Sequence, residues 1–287
     1  MIALLAALVG GAFAQDTAAE RAVVPDLDAQ AFRASPDDAG LLVTDVASMP
    51  EQGGDARVLL SYHDDLLVYV SEGEQVGIVR NVAQANVIGA WGLGPVRIGL
   101  DVPVYLLARG DLTGQETGLG DVALDTRVSV FGREAPLSFP VDLGAYARIS
   151  APTATVANAL GSGTPTWSVG LAGSLSVGSA LIAANVGTRG GPATRLENVE
   201  LNDALDWRVG VGYGLTARFD LSAEVTGRIG YAAPLTNLAG VPMEWLVGAR
   251  AQLTEQVRLH AGVGRGLTPG IGSPDARAIL GVGYAMP

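Results

Sequence analysis

The chain has 287 residues, of which 48% are hydrophobic and 39 are glycine, with no cysteine and a formal net charge of −11. All 18 basic residues are arginine, scattered without a basic run or basic–aromatic interleaving, so nucleic acid is excluded as a partner. No apolar run reaches the roughly 18 residues that a membrane helix needs, and disulfide bonding is ruled out.

The N-terminus is apolar from Ile2 to Ala14 and ends Ala12-Phe13-Ala14 before Gln15-Asp16, the small-residue pattern of a signal-peptidase site. Residues 1–14 therefore read as a cleaved export signal. Residues 15–54 are acidic, contain Pro25, Pro36 and Pro50, and show little periodicity. They read as a mostly irregular periplasmic segment, with a short strand or plug-like piece near residues 40–46.

From Arg57 onward the pattern changes. Apolar residues alternate with polar ones, as side chains do across the two faces of a strand. Strands are expected at 57–62 (resuming at 66–70), 76–91, 96–107, 118–131, 139–150, 166–177, 180–189, 204–215, 219–231, 242–253, 257–266 and 275–284. In the third, Val96, Ile98, Leu100, Val102 and Val104 share one face, while Arg97, Gly99, Asp101 and Pro103 share the other. Connections alternate between short and long, beginning with the tight Gly92-Leu93-Gly94-Pro95. That asymmetry is the pattern of an outer-membrane barrel with short periplasmic turns and longer outer loops. Segments of this length also suit a tilted strand crossing the hydrocarbon layer.

The fold class expected for residues 55–287 is therefore all-β, a transmembrane antiparallel up-and-down barrel of about twelve strands. Both termini would lie in the periplasm, in the outer membrane of a Gram-negative bacterium. A secreted soluble β-sandwich is the competing architecture. It would show no alternation of loop length, and its solvent face would carry fewer glycines than Gly99, Gly144, Gly210, Gly212, Gly262 and Gly264 provide here. Aromatics that suit membrane interfaces are Trp91, Phe131, Phe139, Trp167, Trp207, Phe219, Trp245 and Tyr284.

The polar faces carry the candidate functional residues. Inward arginines are Arg97, Arg127, Arg250 and Arg258 near the short turns, and Arg148, Arg208, Arg228 and Arg277 higher. Inward acids are Asp101, Asp121, Asp125, Asp142, Asp206, Asp220, Glu224 and Glu244. Two arrangements are open. The charges pair across strands and fill the interior, avoiding isolated buried ions, or the arginines line a water-filled path that favours anionic solutes.

Catalysis has little to stand on. His63 and His260 are the two histidines, and no serine is placed convincingly beside either. The acids Asp111, Glu116, Glu197, Glu200 and Asp203 lack a calcium-loop spacing, and Gly210-Val211-Gly212-Tyr213-Gly214 lies within a strand with no helix after it, which excludes a phosphate loop. No metal or cofactor is expected.

An acidic N-terminal segment, Gly118-Leu119-Gly120-Asp121 opening a strand, and Tyr146-Ala147-Arg148-Ile149-Ser150-Ala151-Pro152-Thr153 before a Gly-rich loop resemble the barrel portion of OmpA-family proteins of deltaproteobacterial type. More distantly they resemble barrels that transport compounds of aromatic-degradation pathways. OmpA-family members usually continue into a peptidoglycan-binding α/β domain. The sequence stops at Pro287, so that anchoring role is not carried over. The expected function is a structural wall protein or passive diffusion channel with a charged lumen. A selective porin for small anionic or aromatic solutes is the alternative, and a barrel-embedded lipid hydrolase a remote one. Expected partners are outer-membrane lipids and lipopolysaccharide, the barrel-assembly machinery during insertion, and small solutes.

Overall fold

A computed structural model describes residues 27–30, 32–47, 53–71, 74–111, 114–132, 137–138, 141–156, 159–191, 193–196, 199–201, 203–232 and 240–286. The candidate export signal and Phe139 lie outside the described residues.

Twelve strands form the wall: β1 (Gly53–Ser71), β2 (Glu74–Leu93), β3 (Val96–Gly110), β4 (Ala123–Gly132), β5 (Asp142–Ser150), β6 (Thr166–Val177), β7 (Ala180–Gly190), β8 (Ala204–Thr216), β9 (Phe219–Gly230), β10 (Met243–Gln252), β11 (Val257–Gly266) and β12 (Ala276–Met286). Each pairs antiparallel with its sequence neighbours. The circle closes where β12 pairs with β1, from Ala276 opposite Asp64 to Met286 opposite Gly54. With every strand paired on both sides, the wall leaves no open sheet edge, the condition for crossing a bilayer with strands. All twelve expected strands are present.

β1 and β2 run to 19 and 20 residues and rise beyond their neighbours as a long hairpin. Bulges at 64–67 and 83–84 re-aim it. A short strand, Gly114–Leu119, extends the pairing on the upper half of β3. The connection after β1 looks short in sequence because the hairpin itself is the extension. At the opposite end Gly94, at φ +66°, takes the left-handed backbone that the tight β2–β3 turn requires.

The alternation resolves as expected. On β3, Arg97, Gly99, Asp101, Pro103 and Tyr105 face inward and are buried, while Ile98 and Leu100 face out. Outward leucines are widely exposed, Leu171 at 62% and Leu280 at 64%. A soluble protein rarely tolerates such a band, whereas lipid covers it. Trp91, Trp167 and Trp207 lie against Gly54, Gly190 and Gly227 on adjoining strands, where a Cβ would collide with the indole.

The interior holds the main departure from the sequence expectation. Residues 32–47, read as periplasmic, lie inside the barrel. Phe32, Ala34, Leu42 and Val43 form an apolar cluster with inward-facing Leu59, Ile88, Leu246 and Ile279 of the wall. Gly248 and Gly262 make room for the Leu42 side chain, and Gly210 and Gly212 for Leu41. The segment is therefore a core element, each large apolar side chain contributing roughly 1.5–3 kcal/mol by burial. Its first described residues, Leu27–Asp28, pair with Leu160–Gly161 in the long β5–β6 loop. They lie at the long-loop end, while Met286 at the end of β12 lies at the short-turn end. Residues 27–28 and Met286 thus occupy opposite ends of the barrel, while the termini themselves lie outside the described residues.

Candidate functional site: the occupied lumen

The interior charges pair, and the pairing falls into two groups. The first is within the wall. Arg148 of β5 reaches Asp101 at 2.9 Å and Asp125 at 2.8 Å. Arg228 meets Asp206 at 3.2 Å, and Arg250 meets Asp220 at 2.9 Å. Arg277 forms a two-point contact with Glu244 and stacks 4.3 Å from the Phe32 ring centre. Each pair joins nearby strands at a height set by the register, so the alternation of the strands builds the lattice directly.

The second group joins the wall to the segment. Arg97 lies 3.2 Å from Asp37 and also pairs with Asp55. Arg127 pairs with Asp37 and donates to the Val46 carbonyl. Asp38 receives Arg57 at 3.5 Å, Arg258 at 3.1 Å and His260 Nε2 at 3.0 Å, while its backbone carbonyl accepts from Arg250 at 2.7 Å. Higher in the lumen, Arg208 donates to the Val43 carbonyl at 2.8 Å and lies 3.9 Å from Asp45. The polarity reverses at Glu224, whose carboxylate accepts from the backbone N–H groups of Leu42, Val43 and Thr44 at 2.7–3.0 Å. Asn185 clasps the backbone of Asp45 from both sides, at 2.8 and 3.0 Å.

One expected lumen acid serves elsewhere. Asp121 binds the outer loop, accepting from Ala154 N, Ser162 N and Ser162 Oγ at 2.6–3.1 Å. Asp142 sits half-buried at the turn end of β5, beside Gly132. The residues that the sequence reading missed are Asp37, Asp38, Asp45, Asp55, Arg57 and His63. Asp55 and Arg57 follow the β1 alternation and were legible from it. The segment acids lie in an aperiodic stretch that carries no face to read.

His63 is fully buried on the inner face of β1, 2.9 Å from Ser61 Oγ. A serine therefore does stand beside a histidine. The third partner is the Arg277 guanidinium, at 2.9 Å from the imidazole Nδ1, where a hydrolase triad needs a group that stabilises imidazolium. Among the described residues no cluster of potential metal ligands occurs.

Several cavities flank the segment among the described residues. At the short-turn end, one of about 520 Å³ is lined by Leu41, Leu181, Gly212, Ser222, Arg250 and His260. Another of about 560 Å³ is lined by Asp38, Asp55, Arg97, Arg250 and Arg258. Toward the loops, cavities beside Phe32 and beside Arg228 measure about 30 and about 10 Å³. Above them the segment start and the loops close on an apolar cluster that includes Ala29, Leu66, Val79, Tyr105, Leu160 and Ile271.

A closed antiparallel wall with an apolar exterior and a charged, filled interior defines a transmembrane β-barrel of the Gram-negative outer-membrane type. Comparison with solved structures agrees. An outer membrane channel from Pseudomonas putida F1 superposes with a TM-score of 0.61 at 14% identity, over 84% of this chain and 98% of that one. The NanC porin superposes with a TM-score of 0.54 at 9% identity, over 80% of this chain and 98% of that one. At such identities the likeness is one of fold. No family model and no curated protein matches the sequence.

Proposed function

We propose that the chain is an outer-membrane diffusion channel held closed, in the state described, by its own N-terminal segment. The observation that carries this reading is the occupation of the lumen by residues 32–47, fixed to the wall by Asp37, Asp38, Glu224 and Arg208. A purely structural wall protein could fill its lumen with wall side chains alone, as Arg148 with Asp101 and Arg277 with Glu244 already do. A separate segment crossing the lumen, with cavities of about 520 and 560 Å³ at one end, supports a removable closure. The fold shared with the Pseudomonas channel and the NanC porin supports the same reading. With short turns periplasmic, the cavities face the periplasm and the apolar loop cluster faces outward. Lipid and lipopolysaccharide would meet the exposed leucine band, and the assembly machinery would insert the wall.

For the barrel portion, kinship with OmpA-family walls rests on Gly118–Asp121 and Tyr146–Thr153, where Asp121 ties down the following loop. A lipid hydrolase is disfavoured by the guanidinium beside His63.

Planar-bilayer recording tests the reading. The full chain is expected to show rare openings, and a chain lacking residues 29–47 stable ones. Silence from both, with each correctly folded, would favour the wall protein.

A further inference from the structure

We infer that the pocket holding Asp37 and Asp38 is a dicarboxylate-binding site whose present occupant is the chain itself, and that a small solute with two carboxylates competes for it and unseats the segment. The inference rests on the channel reading above and names the ligand class of that site.

Five arginines from five strands converge on two successive residues: Arg57 of β1, Arg97 of β3, Arg127 of β4, Arg250 of β10 and Arg258 of β11. Arg97 and Arg250 also have wall carboxylates, Asp55 and Asp220. Among the described residues, the carboxylates in ion-pair contact with Arg57, Arg127 and Arg258 belong to the segment alone. The wall therefore carries a local surplus of positive charge where Asp37 and Asp38 sit. The Asp37 side chain is 0% exposed and that of Arg57 1%. Withdrawing the segment without replacement would leave these guanidinium groups crowded together without their carboxylates, a like-charge repulsion that lumen water screens only in part. A soluble dicarboxylate that reaches both positions relieves that repulsion where a compact dianion reaches only one, and planar guanidinium groups match carboxylate oxygens in geometry as well as charge. A monocarboxylate replaces one of the two occupants and leaves the other seated.

Access is available while the segment is still in place. The cavity of about 560 Å³ at the turn end is lined by Asp38, Arg97, Arg250 and Arg258. The side chains of Arg250 and Arg258 remain 29% and 28% exposed. A dicarboxylate can engage these two first and then take the place of Asp38, so exchange proceeds stepwise from the turn side.

The absence of cysteine gives a direct readout. Ala34 belongs to the buried cluster under the segment, so Ala34→Cys places the sole thiol where only release exposes it. In detergent micelles at fixed ionic strength, succinate is expected to raise the rate of labelling by a charged maleimide about fivefold over acetate or sulfate, the lower range of coupling between linked sites. Adding Arg57→Gln and Arg258→Gln should raise the basal rate and abolish the succinate response, with barrel folding verified by heat-modifiable migration. Equal rates in succinate, acetate and sulfate overturn the inference, as does a succinate response that survives both arginine substitutions. The two readings fail separately. A segment-lacking chain that conducts while succinate has no effect sinks only the ligand site. A succinate response in a protein whose segment-lacking form never conducts sinks only the channel.

Discussion

Arg277 shows how tightly a single interior charge is specified. Its guanidinium binds both oxygens of Glu244, approaches His63 at 2.9 Å and covers the Phe32 ring. Both partners of the ion pair are nearly fully buried, with side-chain exposures of 0% and 2%. Such a pair is a modest net contributor while intact, because desolvation offsets most of the attraction. Removing one partner is different, since the other charge stays in a poor solvent. Glu244→Ala is therefore expected to destabilise the barrel by about 3–5 kcal/mol, read from denaturant unfolding in detergent. Glu255→Ala, in the exposed β10–β11 turn, should change stability by less than about 0.5 kcal/mol. Equal small effects at both positions would mean that the buried pair is compensated by another group.

At the scale of elements, the wall and its filling segment follow different rules. Wall strands are set by alternation, and the segment is set by complementarity to them. Leu42 Cδ1 lies 2.6 Å from where a Cβ on either Gly248 or Gly262 would stand. One added methyl can be met by a shift of a flexible leucine tip, but a branched side chain cannot. Gly262→Leu should thus expel the segment while β11 keeps its pairing. Hydrogen exchange would show lost protection at the Leu42, Val43 and Thr44 amides and retained protection in β10 and β12. If protection falls throughout, the glycine serves the wall rather than the segment. The same contrast explains what could be read in advance. The β3 and β4 faces were legible residue by residue, because Arg97, Asp101, Asp125 and Arg127 each occupy an inward register. The segment was legible only as a plug-like piece near residues 40–46. Nothing local to Ser35-Pro36-Asp37-Asp38 distinguishes a solvated acidic turn from a buried one. Of the acids expected to face inward, Asp121 holds a loop and Glu224 binds backbone amides. Among the described residues, the carboxylates in ion-pair contact with Arg57, Arg127 and Arg258 come from the segment.

For the whole molecule, the consequence is a lumen whose electrostatics depend on where the segment is. With Asp37 and Asp38 seated, their charges oppose the surplus arginines of β1, β4 and β11. Replacing both acids by asparagine keeps their size and the apolar anchors Phe32 and Leu42, but removes two negative charges from the interior. The double variant Asp37→Asn, Asp38→Asn should open more often than the native chain, because the segment loses its ionic hold near the turns. Its open state should favour anions, because uncompensated guanidinium groups attract them into a narrow, low-dielectric passage. In a potassium chloride gradient across a planar bilayer, the reversal potential is expected to move toward the chloride equilibrium potential. Raising the salt concentration should reduce that preference as the Debye length shrinks below the width of the passage. A cation-selective or unselective pore at low salt would place the ion path away from this cluster. The segment would then govern stability of the interior without governing what passes through it.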